Sequence, residues 1–353
     1  MAYLFTPGPV PVPNFVMEAI TKPVIHHRTE AFYHLYAEIQ SDLQYLFQTG
    51  AFTGTLIGSG TYGVESAIYS LFRPGETVAI IQNGKFSQRW ADYSTLTGLK
   101  IIPLEKNWGE GISPGEVMNH LQSHPDIAGI VITHCETSTS VCVDLEEITL
   151  PLRQHFPDIC ILVDAITTVG AIPFYMDEWE TDCAVVASQK ALMNPAGTCA
   201  FALSERAVNR LQPTHSSDFR NLYNYYQSGT RHEYPYTAPT QLLYGVGAAL
   251  KYIRSEGLPA IWNRTHQAAK TFREGVKVLG GEIVAATPSD SLTAFHLPGK
   301  DHTAIKKQLA ETYDIHLAGG QGPMKGNILR VSHMAGMDVE MMKMVLEKLG
   351  ELV

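Results

Sequence analysis

The chain has 353 residues, which corresponds to about two domains at roughly 150 residues per domain. Hydrophobic residues make up 45% of the chain and charged residues 17%, so the composition excludes an intrinsically disordered protein. The formal net charge is −9 and no basic stripe interrupts it, which argues against a nucleic-acid-binding protein.

Apolar runs, the N-terminus and the cysteines indicate where in the cell the protein is expected. No apolar run reaches the roughly 20 residues that span a bilayer, and the N-terminus lacks the basic and apolar regions of a secretory signal. The five cysteines form no CxxC pair and lie in or beside apolar runs, which indicates reduced thiols. We therefore expect a soluble, cytoplasmic protein with no membrane or nucleic-acid partner.

Short apolar runs alternate with helical patterns from about residue 50 to residue 205. The runs are apolar on both faces, as in strands that helices cover on two sides. This pattern predicts an α/β fold with a mostly parallel, seven-stranded sheet and helices on both faces. The predicted strands are Thr53–Ile57, Thr77–Ile81, Lys100–Pro103, Gly129–Thr133, Ile159–Val163, Cys183–Ala187 and Thr198–Leu203.

The pattern changes after Pro239. Residues 239–280 read as two long helices interrupted near Gly257, and strands then mix with helices in a different rhythm. This change predicts a smaller α+β domain at the C-terminus. The predicted organisation is an N-terminal arm (1–20), a large domain (21–257) and a small domain (258–353).

A glycine-rich turn, Gly58–Gly63, follows the first predicted strand and matches G-x-G-x-x-G. Such a turn can place backbone N–H groups and a helix N-terminus against a phosphate. A dinucleotide site would also need an acidic residue after the next strand, and Gln82-Asn83-Gly84 stands there instead. A phosphate cradle therefore stays a hypothesis, beside the alternative of a tight strand–helix turn.

Asp164 and Lys190 each follow an apolar run, at the sheet edge where open α/β sheets bind ligands. A buried carboxylate needs a cationic partner, and a protonated ring nitrogen is one; alternatively, Asp164 caps a helix. A buried lysine amine can act as a nucleophile on a carbonyl; alternatively, Lys190 is solvated. Together with the phosphate turn, these residues match the groups of pyridoxal 5'-phosphate (PLP).

Six motifs extend this match over nearly the whole chain, in a fixed order. They are Phe5-Thr6-Pro7-Gly8-Pro9, Gly58-Ser59-Gly60-Thr61, the segment THCETST at 133–139, Val163-Asp164-Ala165, Ser188-Gln189-Lys190-Ala191-Leu192 and Ile328-Leu329-Arg330-Val331. With these motifs the chain resembles the class V aminotransferases, within the type I fold of PLP-dependent transferases. It is most similar to the alanine–glyoxylate and serine–pyruvate aminotransferases.

The resemblance implies a role for each matching residue at the reactive end of the cofactor. Lys190 would hold PLP as an imine and later move a proton between the substrate and the cofactor. Asp164 would pair with the pyridinium nitrogen and keep it protonated. Arg330 would bind the substrate carboxylate, and Gly8 would lie where the N-terminal arm closes over the substrate.

The resemblance also implies how the rest of the cofactor is held. Phe86 would stack on the ring, Ile166 would pack on its other face, and Thr137 would bind the ring hydroxyl. The phosphate would be held by residues of the glycine-rich turn and their neighbours, with two residues coming from a second subunit of a homodimer. The phosphate residues are Ser59, Gly60, Thr61 and Gln189, and those from the partner are Tyr234 and Thr237.

The function implied is PLP-dependent, ping-pong transamination between alanine or serine and a small 2-oxo acid, glyoxylate or pyruvate, with no metal. One alternative is a related transaminase that acts on a phosphonate, phosphoserine or aspartate-type substrate. Another is a nicotinamide-dependent oxidoreductase built on Gly58–Gly63. The absence of cysteine after Cys199 argues against a cysteine desulfurase.

Overall fold

The computed structural model describes residues 3–213 and 217–353. Residues 1 and 2 of the predicted arm and residues 214–216 of the predicted large domain lie outside the described residues. The α-helices are α1 (Asn14–Ile20), α2 (Glu30–Phe47), α3 (Gly60–Leu71), α4 (Lys85–Leu96), α5 (Pro114–Gln122), α6 (Leu145–His155), α7 (Glu205–Arg210), α8 (Leu222–Gly229), α9 (Thr240–Glu256), α10 (Leu258–Val278), α11 (His302–Tyr313) and α12 (Val339–Gly350). The strands are β1 (Tyr3–Leu4), β2 (Phe52–Ile57), β3 (Thr77–Gln82), β4 (Lys100–Glu105), β5 (Ile127–Thr133), β6 (Cys135–Glu136), β7 (Val141–Cys142), β8 (Cys160–Asp164), β9 (Cys183–Ala187), β10 (Thr198–Leu203), β11 (Glu282–Ile283), β12 (Leu292–His296), β13 (Ile315–His316), β14 (Ala318–Gly319) and β15 (Leu329–Ser332).

The seven predicted strands of the large domain form one sheet, in the order β2-β10-β9-β8-β5-β3-β4. Strand β10 runs antiparallel to both of its neighbours, and the other paired strands are parallel. Every residue of β8, β9 and β10 is buried, as in strands covered on both faces. Strand β4 lies at the sheet edge, where its exposed positions and Pro103 are tolerated. The predicted α/β fold with a mostly parallel sheet is confirmed.

The C-terminal part builds a second, four-stranded sheet in the order β11-β12-β15-β14, with antiparallel pairing throughout. Phe272, Phe295 and Val345 belong to an apolar core of its own. Phe5 of the N-terminal segment packs in this core as well, and β1 pairs with β13. The N-terminal segment therefore packs on the small domain, although the two are about 300 residues apart in the sequence.

The two helices expected over 239–280 are confirmed as α9 and α10, which meet at Gly257. Leu258 and Ile261, at the start of α10, pack in the core of the large domain, and Ala268 and later residues pack in the second core. The single helix α10 thus contributes to both cores. The domain boundary at residue 257 stays a prediction.

None of the helices in the described parts of the chain has both the length and the apolar character needed to cross a bilayer.

Candidate active site

One pocket gathers nine of the predicted site residues at the carboxyl ends of the central strands. Asp164 ends β8, and Lys190 follows three residues after β9. Helices α3 and α4 begin beside them, because each follows a strand that ends at the same sheet edge. The pocket is lined by Ser59, Gly60, Thr61, Phe86, Thr137, Asp164, Ile166, Gln189 and Lys190.

The carboxylate of Asp164 lies in the floor of this pocket and is only 4% exposed. Its Oδ1 accepts the backbone N–H of Ile166 at 3.0 Å, and its Oδ2 accepts the indole N–H of Trp90 at 2.9 Å. Burial raises the pKa of Asp164 to about 7, and the two hydrogen bonds oppose that shift. Residues 166–170 form turns, so Asp164 does not cap a helix.

The amine of Lys190 faces the same pocket. Burial lowers its pKa to about 8, the positive charge of Arg330 adds to this effect, and Asp164 opposes it. Its Nζ donates a hydrogen bond to the carbonyl oxygen of Pro7. A lysine with a lowered pKa has a larger neutral fraction near neutral pH, and the neutral amine is the nucleophilic form.

The N-terminal segment crosses directly over this lysine. Gly8 has φ +120, and a Cβ on it would overlap the side chain of Lys190. The segment is held from both domains, because Ser332 donates to the Phe5 carbonyl oxygen and Val10 donates to that of Gln189. Gly8 therefore lies against Lys190, and its expected contact with the substrate stays a prediction.

The opposite end of the pocket is suited to an anion. Ser59 is the N-cap of α3 and accepts the backbone N–H of Tyr62 at 3.5 Å, and Gly60 begins the helix. Thr61 accepts a hydrogen bond from Arg89 Nη1 at 2.9 Å. The side-chain oxygen of Gln189 is buried with no hydrogen-bond partner among the described residues. Helix N-termini and hydroxyl groups of this kind stabilise negative charge.

Arg330 lies on β15 of the small domain and is 5% exposed. Its Nε and Nη2 donate to the carbonyl oxygen of Gly319, and its Nη1 donates to that of Thr137 at 2.8 Å. These contacts, counted over residues 3–213 and 217–353, leave one N–H on each terminal nitrogen for a ligand. That pair of donors matches the two oxygens of a carboxylate.

Tyr234 does not join the pocket. Its side chain is fully buried in its own chain, and its hydroxyl donates to the Thr55 carbonyl oxygen at 3.0 Å. The role expected for Tyr234 at the phosphate of a second subunit stays a prediction. Thr237 is exposed, and its predicted role stays a prediction.

Three side chains outside the predicted set support the pocket. Arg89 and Trp90 lie on α4 at spacings of three and four residues from Phe86, so the three share one face of the helix. Glu136, in the segment 133–139, is fully buried and accepts the backbone N–H groups of Phe86 and Ser87 at the start of α4. Helical spacing from Phe86 is the signal that would have found Arg89 and Trp90.

The residues present fit PLP. Asp164 supplies the carboxylate for a ring nitrogen, Lys190 supplies the amine for an aldehyde, and Phe86 and Ile166 supply apolar surfaces for a ring. The buried, unpartnered oxygen of Gln189 lies among the residues of the anion end. No cluster of three or more His, Cys, Asp or Glu side chains within the described ranges is arranged to hold a metal ion.

Comparison with known proteins places this site in a family. The family model of class V aminotransferases matches residues 2–338. The L-aspartate–glyoxylate aminotransferase of Paracoccus denitrificans is 32% identical over 346 residues, 95% of this chain and 86% of that protein. A protein of Synechococcus sp. named as the small subunit of a soluble hydrogenase is 32% identical over 339 residues, 94% and 88% of the two chains.

Solved structures give the same result. The crystal structure of alanine–glyoxylate aminotransferase from Nostoc sp. has a TM-score of 0.93 and 29% sequence identity, covering 99% of this chain and 95% of that one. The sequence pattern that suggested a nicotinamide site, Gly58–Gly63, is thus part of a different cofactor pocket. The protein belongs to the class V aminotransferase family, whose cofactor is pyridoxal 5'-phosphate.

Proposed function

We propose that this aminotransferase moves an amino group from a small amino acid, alanine or serine, to a small 2-oxo acid, glyoxylate or pyruvate. The observation that carries the proposal is the placement of three charged groups around one pocket: the Lys190 amine, the Asp164 carboxylate and the Arg330 guanidinium. The relatives named above as glyoxylate aminotransferases support this choice of acceptor.

PLP, when bound, accepts electrons from the substrate Cα–H bond and carries the amino group between the two substrates. The chain's residues supply the rest. Lys190 would hold the cofactor through its Nζ. Once the substrate amine has displaced it, the same Nζ would be free to hold a proton taken from the substrate Cα and to donate it to the cofactor. Asp164 pairs with the ring nitrogen, and Ser59, Gly60, Thr61 and Gln189 hold the phosphate.

Arg330 orients the substrate by its carboxylate, a group that both the amino acid and the 2-oxo acid carry. Because both compounds share this group, one pocket can serve them in turn, as the ping-pong order requires. The segment around Gly8 covers Lys190 and limits the access of water to it.

The amino donor is tested by mixing the PLP-loaded protein with single amino acids and following the loss of its visible absorbance. We expect alanine and serine to react fastest, and Lys190→Ala to show no reaction with any of them. A faster reaction with aspartate, the donor in the name of the Paracoccus relative, would overturn the choice of alanine and serine.

A homodimer and a cytoplasmic location are further parts of the proposal. Thr237 is exposed and available to a second subunit, and all five cysteines are free. Light scattering on the purified protein tests the homodimer, and a measured mass of a single chain would contradict it. Fractionation of the source cells tests the second, and we expect the protein with the cytoplasmic markers.

A further inference from the structure

The indole ring of Trp90 is fully buried beside the cofactor pocket, in contact with Asp164. Its Nε1 donates to Asp164 Oδ2 at 2.9 Å. An indole N–H can only donate, so the direction of the bond is fixed. The bond joins α4 to the end of β8, two elements that are far apart in sequence.

Hydrogen bonds reach both oxygens of Asp164 from the surrounding protein. Ile166 donates its backbone N–H to Oδ1, and Trp90 donates to Oδ2. The charged groups that act on this carboxylate are Glu136, which disfavours its ionisation, and Lys190, which favours it. The Trp90 N–H favours the ionised carboxylate over the neutral acid, since only the former is a full acceptor on both oxygens.

Trp90 also shares its helix with Phe86, one turn away. Phe86 lines the pocket where a cofactor ring would lie, and Trp90 holds the carboxylate that would meet the ring nitrogen. One rigid helix therefore fixes the aromatic surface and the orientation of the acid relative to each other.

We propose that Trp90 is a positioning residue for Asp164. It holds the carboxylate in the orientation that faces the ring nitrogen of PLP, and it keeps the negative charge on the carboxylate so that the shared proton stays on that nitrogen. The inference rests on the proposed role of Asp164 and deepens it, because it names the residue through which the protein sets the strength of this ion pair.

The test is a double-mutant cycle in PLP affinity, measured by equilibrium dialysis of the cofactor-free protein. The four proteins are the wild type, Trp90→Phe, Asp164→Asn and the double variant. A hydrogen bond to a charged group contributes enough that Trp90→Phe should weaken binding about 10- to 100-fold when Asp164 is present. In the Asp164→Asn background the same substitution should have a much smaller effect, because the charge on which Trp90 acts is gone.

If Trp90 acted through packing alone, Trp90→Phe would lower PLP affinity equally with Asp164 and with Asn at position 164, and that result would overturn the proposal. No loss of PLP affinity in either background would also overturn it. Trp262→Phe is the matched control: its buried Nε1 has no hydrogen-bond partner among the described residues, and its substitution should leave PLP affinity unchanged. If the wild type itself binds no PLP, the proposed function fails instead.

A second measurement does not depend on the folding of Trp90→Phe. In protein labelled with ¹⁵N-tryptophan, the Trp90 indole resonance should shift when PLP is added and when Asp164 is replaced by Asn. A Trp90 resonance that moves in neither case would overturn the proposal.

Discussion

Glu136 accepts the backbone N–H of Phe86 at 3.0 Å, so a fully buried carboxylate holds the first turn of the helix that carries the aromatic residue of the pocket. The same Oε2 accepts the N–H and the hydroxyl of Ser87, and Oε1 accepts the N–H and the hydroxyl of Ser138. The helix dipole favours a negative charge at this position. The placement of Phe86 thus depends on an acid outside the pocket.

Glu136→Gln should destabilise the chain and weaken PLP binding. Each carboxylate oxygen accepts at least one backbone N–H group, so the amide NH2 of a glutamine must face an N–H that cannot accept. An unsatisfied buried group of this kind costs about 2–3 kcal/mol. Urea unfolding measures the free-energy change, and dialysis measures the affinity.

Glu146→Gln is the control for this substitution, because Glu146 is an exposed acid in the first turn of α6. It should change stability by less than about 0.5 kcal/mol. Equal effects of the two substitutions would show that Glu136 acts only through its negative charge near a helix N-terminus.

Asp164→Asn should make the stability of the cofactor-free protein less dependent on pH. The pKa of Asp164 is about 7 in the folded chain against about 4 in an unfolded one, so the wild type should lose stability as the pH rises from about 4 to about 7. Relative to Asp164→Asn, this loss should amount to about 2 kcal/mol between pH 5 and pH 8. The variant also carries a pH-independent cost, because its amide N–H group faces the N–H of Trp90.

Unfolding by urea at pH 8 and pH 5 tests this prediction. Asp158→Asn, at an exposed position, should change stability little at either pH. An equal change in stability between pH 5 and pH 8 for the wild type and Asp164→Asn would contradict this expectation, because it would mean that the pKa of Asp164 is not raised in the folded chain.

The rate at which cofactor-free protein captures PLP should rise with pH and level off above about pH 8. Only the neutral amine attacks a carbonyl, and the pKa of Lys190 is lowered to about 8 by burial and Arg330. Stopped-flow absorbance measures the rate. A capture rate that keeps rising to pH 10 would show that the pKa of Lys190 is that of an ordinary lysine. In Asp164→Asn the midpoint of the pH–rate curve should lie at a lower pH, because Asp164 raises the pKa of Lys190.

Arg89→Gln should weaken binding of PLP about tenfold and leave binding of pyridoxal, which lacks the phosphate, nearly unchanged. Arg89 donates to Thr61 Oγ1, which leaves the hydrogen of that hydroxyl free to donate to a phosphate, and its guanidinium lies 5.1 Å from the Phe86 ring. Arg231→Gln, at an exposed arginine, is the control. An equal loss for PLP and pyridoxal would indicate disruption of Phe86 instead.

The sheet and the floor of the pocket were predictable from the sequence because each rests on local pattern. Runs such as Cys183–Ala187 are apolar at every position, which marks buried strands, and polar residues that follow parallel strands meet at one sheet edge. The amino-acid sequence alone therefore suffices to place Asp164 and Lys190 in one pocket.

The supporting contacts could not be predicted in this way. The bonds Trp90–Asp164 and Glu136–Phe86 join segments about 50 to 75 residues apart, and their formation depends on which face of α4 meets the sheet. The packing of Tyr234 was not predictable for a related reason: its motif carries no signal that its ring packs into the core of its own chain.

The most direct test of the proposed transamination is the transfer of labelled nitrogen. The PLP-loaded protein is incubated with ¹⁵N-alanine and ¹³C-glyoxylate, and the products are analysed by mass spectrometry. We expect glycine that carries both labels, together with unlabelled pyruvate, and neither product with Lys190→Ala. Wild-type protein that binds PLP but forms no doubly labelled glycine, or that releases the ¹⁵N as free ammonia, would contradict the proposal.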